Sequence, residues 1–331
     1  MHRRTFPALD REVSEVGLGC WQLGAEWGPV SDEAADRILR TALDSGVTLF
    51  DTADVYGRGR SERRIGRLLR TTGATPTVVT KLGRFPEPGW PHNFRPATIR
   101  RHVEASLGRL GVDVLDLVQL HCVPEGVLRT GEAFGALREL RAAGKIRAWG
   151  ASVETVDEAE LCLDQPDCAS LQVIFNLFRQ RPREAFFDRA AAQGTAILVR
   201  LPLASGLLSG RMTRDRTFAP DDHRSFNRDG AAFHVGETFS GLPFERGLEL
   251  VDELRALVPA GDDLATFAMR WILDHPAVTA VIPGATRPSQ VRANAAASAR
   301  PPLTRALHHR LAAFERERVR PFVRGHGEST S

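Results

Sequence analysis

Asp51, Tyr56, Lys81 and His121 are four titratable side chains that stand at the ends of three consecutive short apolar runs. Asp51 follows the run 47–50 and opens the segment Asp51-Thr52-Ala53-Asp54-Val55-Tyr56-Gly57. Lys81 follows the run 78–80, and His121 follows the run 114–120. Singly, each has a plain structural explanation: a helix cap, a surface lysine, a satisfied histidine. Together they describe one cluster, and clustering is what displaces pKa values for acid–base catalysis. Ser152, Gln172, Asn176, Arg200 and the pair Pro283-Gly284 extend the series at the later runs. Tyr56 is the only tyrosine in a chain with 17 phenylalanines, so packing elsewhere did not need a phenol.

The elements that must position these groups alternate. Apolar runs rich in Val, Ile and Leu at 16–19, 47–50, 78–80, 114–120, 148–150, 171–175, 196–199 and 278–282 predict eight strands. The stretches between them have helical period. Residues 32–44 place Ala35, Ile38, Leu39 and Ala42 on one face behind Ser31 as N-cap. Residues 96–110 place Ile99, Val103, Leu107 and Leu110 on one face and stop at Gly111. Strands alternating with helices imply βαβ units and parallel pairing. Eight of them fit a closed (β/α)8 barrel, the TIM barrel, in a single domain over 1–318. A doubly wound nucleotide-binding sheet would carry a Gly-rich turn after its first strand. Here Gly17-Leu18-Gly19-Cys20-Trp21-Gln22 lacks the third glycine, and no phosphate loop ending in Gly-Lys-Ser or Gly-Lys-Thr occurs. Residues 211–244 form a long polar insertion after the seventh strand, expected to fold over the cofactor or the pocket mouth. The C-terminal tail, 319–331, is expected to fray.

Charge excludes some classes of partner. With 44 basic and 41 acidic residues the net charge is +3, which supplies no field for nucleic acid. No run reaches the about 18 apolar residues of a membrane span, and no apolar segment follows the basic start. The four cysteines show neither a CxxC pair nor zinc-ligand spacing, so no metal is expected and a reducing cytoplasm is the plain reading.

Taken in order, these segments resemble the signatures of the aldo-keto reductases. They are Gly17-Leu18-Gly19-Cys20-Trp21, Phe50-Asp51-Thr52-Ala53-Asp54-Val55-Tyr56-Gly57, Thr80-Lys81-Leu82-Gly83 and Asp116-Leu117-Val118-Gln119-Leu120-His121. Gly144-Lys145-Ile146-Arg147, Pro202-Leu203-Ala204-Ser205-Gly206-Leu207-Leu208-Ser209-Gly210 and Val281-Ile282-Pro283-Gly284 continue the series. The resemblance implies metal-free, NAD(P)H-linked interconversion of an aldehyde or ketone with its alcohol. Tyr56 would be the general acid, Lys81 the cation that eases its ionisation, Asp51 the group that orients Lys81, and His121 the donor to the substrate oxygen. Ser152 and Gln172 would bind the nicotinamide amide, with Trp21 nearby. Pro202, Leu203, Ala204 and Arg211 would hold the diphosphate, and Gly284, Thr286, Gln290 and Asn294 the adenosine end.

The pattern departs from the family at three places. Val153 stands where an Asn often follows the Ser, Arg200 replaces the aromatic that stacks on nicotinamide, and Thr286 with Arg287 are the candidates for a 2′-phosphate. NADP is therefore the expected cofactor, with NAD the alternative. Trp27, Phe85 and Trp90 are candidates for the pocket that takes a small carbonyl or sugar substrate. Two rival readings keep the same barrel: a non-catalytic nicotinamide-nucleotide-binding regulatory subunit, and a sugar dehydrogenase or sugar-nucleotide ketoreductase. His121 favours catalysis over the first of these.

Overall fold

The computed structural model describes residues 1–24 and 30–325. After an N-terminal hairpin, β1 (Arg3–Phe6) and β2 (Arg11–Ser14), come eight parallel strands. These are β3 (Leu18–Gly19), β4 (Leu49–Asp51), β5 (Thr77–Leu82), β6 (Leu115–His121), β7 (Ile146–Ser152), β8 (Ser170–Ile174), β9 (Ala196–Arg200) and β10 (Val278–Val281). Each strand pairs with the next in sequence order. Parallel bridges from Val16 to Val281 and from Gly19 to Gly284 join the last strand to the first, closing the expected (β/α)8 barrel as one domain.

The strands are buried on both faces, the usual condition of a parallel sheet wrapped by helices. Alternate residues therefore serve two cores. Leu49, Val79, Leu117, Leu198 and Ala280 point into the barrel, while Phe50, Val78 and Val118 pack under the helices. The helix Asp32–Asp44 buries the four residues its period predicts, and the Ser31 side chain accepts from the Ala34 amide. The helix Pro96–Leu110 ends on Gly111 at φ +70°, a left-handed position glycine adopts freely.

The hairpin was not anticipated. Its turn runs through Pro7–Leu9 and exits at Asp10 with φ +48°, without the Asn-Gly or Asp-Gly pair that announces a tight hairpin. It plugs the barrel end remote from the C-terminal strand ends, with Phe6 and Val13 fully buried in the inner core. The tail also departs from expectation as far as residue 325. Val319 is fully buried, the Arg324 amide donates to the Gly241 carbonyl, and Arg179 donates to the Gly325 carbonyl.

The insertion lies between β9 and the helix Phe244–Arg255 and makes its own order from short turns. Asn227 is its hub: Oδ1 accepts from the Ala232 and Phe233 amides and Nδ2 donates to Thr238. Among the described residues no helix is long and apolar enough to cross a membrane. Because Phe6 fills the barrel floor, Phe6→Ala should cost about 3–5 kcal/mol, the range for aromatic-to-alanine changes in cores. Urea unfolding of both proteins measures this, and a loss under about 1 kcal/mol would mean that the hairpin is not part of the core.

Candidate active site

The parallel register sets the strand ends level with one another, so side chains far apart in sequence meet at one rim. Asp51 ends β4, Lys81 lies at the end of β5, and His121 ends β6. Lys81 Nζ donates to Asp51 Oδ1 at 2.7 Å and to the Thr52 carbonyl at 2.9 Å. It stands 3.4 Å from the Tyr56 hydroxyl, and the His121 ring meets the Tyr56 ring edge-on at 5.8 Å. The four expected catalytic groups are thus one cluster. Asp51 Oδ2 accepts from Gln172 Nε2 at 2.7 Å. That amide also reaches Gln119 at 3.0 Å, and Gln119 in turn donates to Ser170 at 2.9 Å. Gln172 therefore steadies Asp51, a role the sequence reading had not given it.

Burial controls the protonation states. It pushes the Asp51 carboxyl up and the Lys81 ammonium down, and their mutual attraction opposes both shifts. Burial also lifts Tyr56 well above its ordinary value; Asp51 and Glu237 add to the rise while Arg84 and Arg200 oppose it. The phenol thus holds its proton more firmly than a nearby lysine alone would suggest. For His121, burial and the positive charges of Arg84, Lys81 and Arg200 push the imidazole well below 6.5, so the ring is neutral. Its Nδ1 is buried without a hydrogen-bond partner among the described residues.

A second charged cluster, unforeseen from sequence, adjoins the first. Arg84 follows β5, Glu154 follows β7, Arg200 ends β9, and Glu237 comes from the insertion. Arg84 binds both oxygens of Glu237, Nη1 reaching Oε2 at 3.2 Å while Nη2 pairs closely with Oε1. Arg200 donates to Glu154 at 2.7 Å and pairs with Glu237 at 3.4 Å. Its expected stacking position is thus flanked by two carboxylates. His234 Nδ1 lies 3.1 Å from Glu154. Nothing local in the sequence marks this network, since Arg84 and Glu237 are separated by 153 residues.

A cavity of about 840 Å³, within the usual range for ligand pockets, runs from these groups to the adenosine-end candidates. Asp51, Tyr56, His121, Gln172, Arg200 and Glu237 line one end, with Trp21 beside them. Pro202, Leu203 and Arg211 line its course, and Gly284, Thr286, Gln290 and Asn294 line the far end. Arg211, Met212, Arg216 and Arg224 make the insertion part of the wall. Gly284 leaves room for the Gln22 side chain, whose amide oxygen would lie 2.1 Å from a Cβ there. Gln22, missed from sequence, lines the cavity, and that oxygen has no hydrogen-bond partner among the described residues. Gln290 Oε1 accepts from the Thr286 and Arg287 amides at 2.8 and 3.1 Å, shaping the loop before the helix Pro288–Ala296.

Other expected residues stand elsewhere. Ser152 and Ala204 are buried and do not line the cavity, Ser152 approaching Cys122 instead. Phe85 packs edge-on against His102 at 5.6 Å beneath Arg58, and Trp90 is 58% exposed; neither lines the cavity. Both belong to the loop after β5, whose aromatics found other partners or solvent. Trp27 lies outside the described residues.

Comparison with known proteins identifies the family and supports the barrel. The model of the aldo/keto reductase family matches residues 15–316. The aldo-keto reductase YhdN of Bacillus subtilis (strain 168) is 33% identical over 290 residues, covering 85% of this chain and 84% of that one. The NADH-specific methylglyoxal reductase of Escherichia coli (strain K12) is 30% identical, covering 90% and 93%. The structure of the glycerol dehydrogenase AKR11B4 from Gluconobacter oxydans matches with TM-score 0.79 and 31% identity, covering 96% of each chain.

The neutrality of His121 has a direct readout. In NMR titration its ring resonances should show no step around 6.5, where an ordinary histidine changes charge. A step centred there would show that burial does not control this ring.

Proposed function

The chain belongs to the aldo/keto reductase family, and we propose that within it this protein reduces an aldehyde or ketone to the alcohol with NADPH. The observation that carries the reading is the shared cavity: Tyr56, His121 and Asp51 open into the same space as Gly284, Thr286 and Gln290. A bound reduced nicotinamide supplies the hydride. Tyr56 holds the proton that the substrate oxygen needs, since its surroundings keep the phenol neutral. Neutral His121 donates a hydrogen bond to that oxygen and cannot compete as a charged acid. Lys81, 3.4 Å from the phenol, stabilises the tyrosinate left after transfer, and Asp51 holds Lys81 in place.

The fit to a dinucleotide rests on this chain's own groups. Arg211, Arg216 and Arg287 line the cavity, as does Arg224 in its pair with Asp222, a concentration of guanidinium suited to phosphates. The resemblance makes Thr286 and Arg287 the candidates to read a 2′-phosphate, and both line the cavity, which supports NADPH. The Escherichia coli relative named for NADH makes the preference a matter for measurement. The ratio of kcat/KM for NADPH to that for NADH should exceed unity, and Arg287→Ala should lower it by about tenfold or more, the worth of a charge-assisted contact. A wild-type ratio below unity would refute the preference.

Tyr56→Phe tests the reaction itself. The change removes one oxygen from a packed ring, so fold and NADPH affinity should survive. Turnover of a simple aldehyde should fall by about 100- to 10,000-fold, the usual worth of a general acid. Lys81→Met should mimic the loss. A Tyr56→Phe enzyme within about tenfold of wild type would assign the proton to another group. Wild-type protein that binds NADPH by fluorescence titration yet turns over no carbonyl compound would instead point to the regulatory-subunit reading.

A further inference from the structure

Arg84 and Arg200 form a guanidinium fork beside the reacting groups, and a carboxylate of the protein itself already fills it. Glu237 accepts from Arg84 through both oxygens and pairs with Arg200 at 3.4 Å. Glu237 is 4% exposed and lines the same cavity as Tyr56 and His121. Its main chain is pinned there, because Ser205 Oγ donates to the Glu237 carbonyl at 3.0 Å and the Glu237 amide donates to His234. The other cations close by are committed as well. Lys81 belongs to Asp51, Arg200 also binds Glu154 at 2.7 Å, and Arg179 donates to the carbonyls of Glu154 and Gly325 outside the cavity wall.

We propose that Glu237 is a specificity-determining residue: its carboxylate occupies the Arg84–Arg200 fork, so that carbonyl substrates bearing a carboxylate are turned away and neutral ones admitted. The proposal rests on the reading of Tyr56 and His121 as the reacting end of the cavity. The physics is that of charge pairing among largely buried groups. A substrate carboxylate entering beside Tyr56 meets, among the described residues, Lys81, Arg84 and Arg200 already paired with Asp51, Glu237 and Glu154; it loses its hydration and faces the like charge of Glu237. The buried guanidinium of Arg200 and the half-buried one of Arg84, which stands behind Glu237 and off the cavity wall, are matched by the carboxylates of Glu154 and Glu237. Neutralising Glu237 leaves the two guanidinium groups sharing, among the described residues, the single carboxylate of Glu154, 2.7 Å from Arg200 and 3.8 Å from Arg84, and the excess positive charge then makes the fork an anion site. Discrimination of this kind needs a repulsive element as well as an attractive one, and the insertion supplies it.

The test compares two aldehydes of similar length, neutral butanal and anionic succinic semialdehyde, on wild type, Glu237→Gln and Arg84→Met. The ratio of kcat/KM for the anion to that for the neutral aldehyde should rise about tenfold or more in Glu237→Gln, chiefly through a lower KM for the anion. In Arg84→Met, where Glu237 is left in excess, the same ratio should fall below wild type. Calorimetric titration of the NADPH-loaded proteins with succinate gives a readout that needs no turnover. Glu237→Gln should bind it about tenfold more tightly than wild type. If no carbonyl compound is reduced at all, the reaction reading fails while the calorimetry still judges the fork. Unchanged succinate binding in Glu237→Gln, or an unchanged substrate ratio, overturns the proposal. Should that variant not fold, an equal or raised ratio in Arg84→Met overturns it independently.

Discussion

The buried ion pair of Lys81 and Asp51 is the constraint around which the site is organised. Both side chains are all but inaccessible, at 1% and 5% exposure, and neither charge would be tolerated there alone. Such a pair adds little net stability, because desolvation consumes most of the Coulomb gain. Breaking it is another matter: removing one partner strands the other charge, at about 3–5 kcal/mol. Its surroundings therefore answer to it. Asp51 uses one oxygen for Lys81 and the other for Gln172, whose amide leads on through Gln119 to Ser170. Lys81 of β5, Gln119 of β6, and Gln172 and Ser170 of β8 thus contribute polar groups that keep one carboxylate satisfied.

The barrel makes this possible by its register. Lys81 pairs with Gln119, Gln119 with Gly150, and Ser152 with Gln172, so polar side chains of neighbouring strands sit at matching heights. Gly150 has a structural reason to be glycine, since a Cβ there would fall 2.2 Å from Ser170 Oγ, an atom of the same chain of hydrogen bonds. Below this polar layer the interior turns apolar, ending at Phe6 and Val13 of the hairpin. The dry floor is what leaves burial in command of the protonation states above it.

Much of this was legible in the sequence, for a definite reason. Strand periodicity is local, so apolar runs at regular intervals announce a parallel barrel, and the residue at the end of each run announces the rim. Asp51, Lys81 and His121 were found that way, and Tyr56 through its singularity among aromatics. What stayed hidden depends on long-range placement. Glu237 lies in a segment with no periodicity, and its partners Arg84 and Arg200 belong to two different strand ends. Phe85 and Trp90 looked like pocket aromatics because loop residues carry no signal of direction; one turned to His102 and the other to solvent. The hairpin escaped notice because Asp10 makes the left-handed turn without a glycine beside it.

The two charged clusters also explain one another. A phenol beside Arg84, Arg200 and Lys81 alone would be drawn towards its anion, which would spoil the donor role proposed for Tyr56. Asp51 answers one of these cations, while Glu154 and Glu237 answer the other two. The count of three cations against three carboxylates leaves the neighbourhood of Tyr56 close to neutral, and burial then decides the direction, upward. The same balance has the opposite effect on His121, where burial and the nearer cations act together to strip the ring of charge. Tyr56 and His121 face one cavity with one proton state each, the phenol protonated and the imidazole neutral. A barrel whose insertion did not return to the rim would lack Glu237 and hence that balance. In this chain the insertion is therefore part of the electrostatics of the site as well as part of its wall.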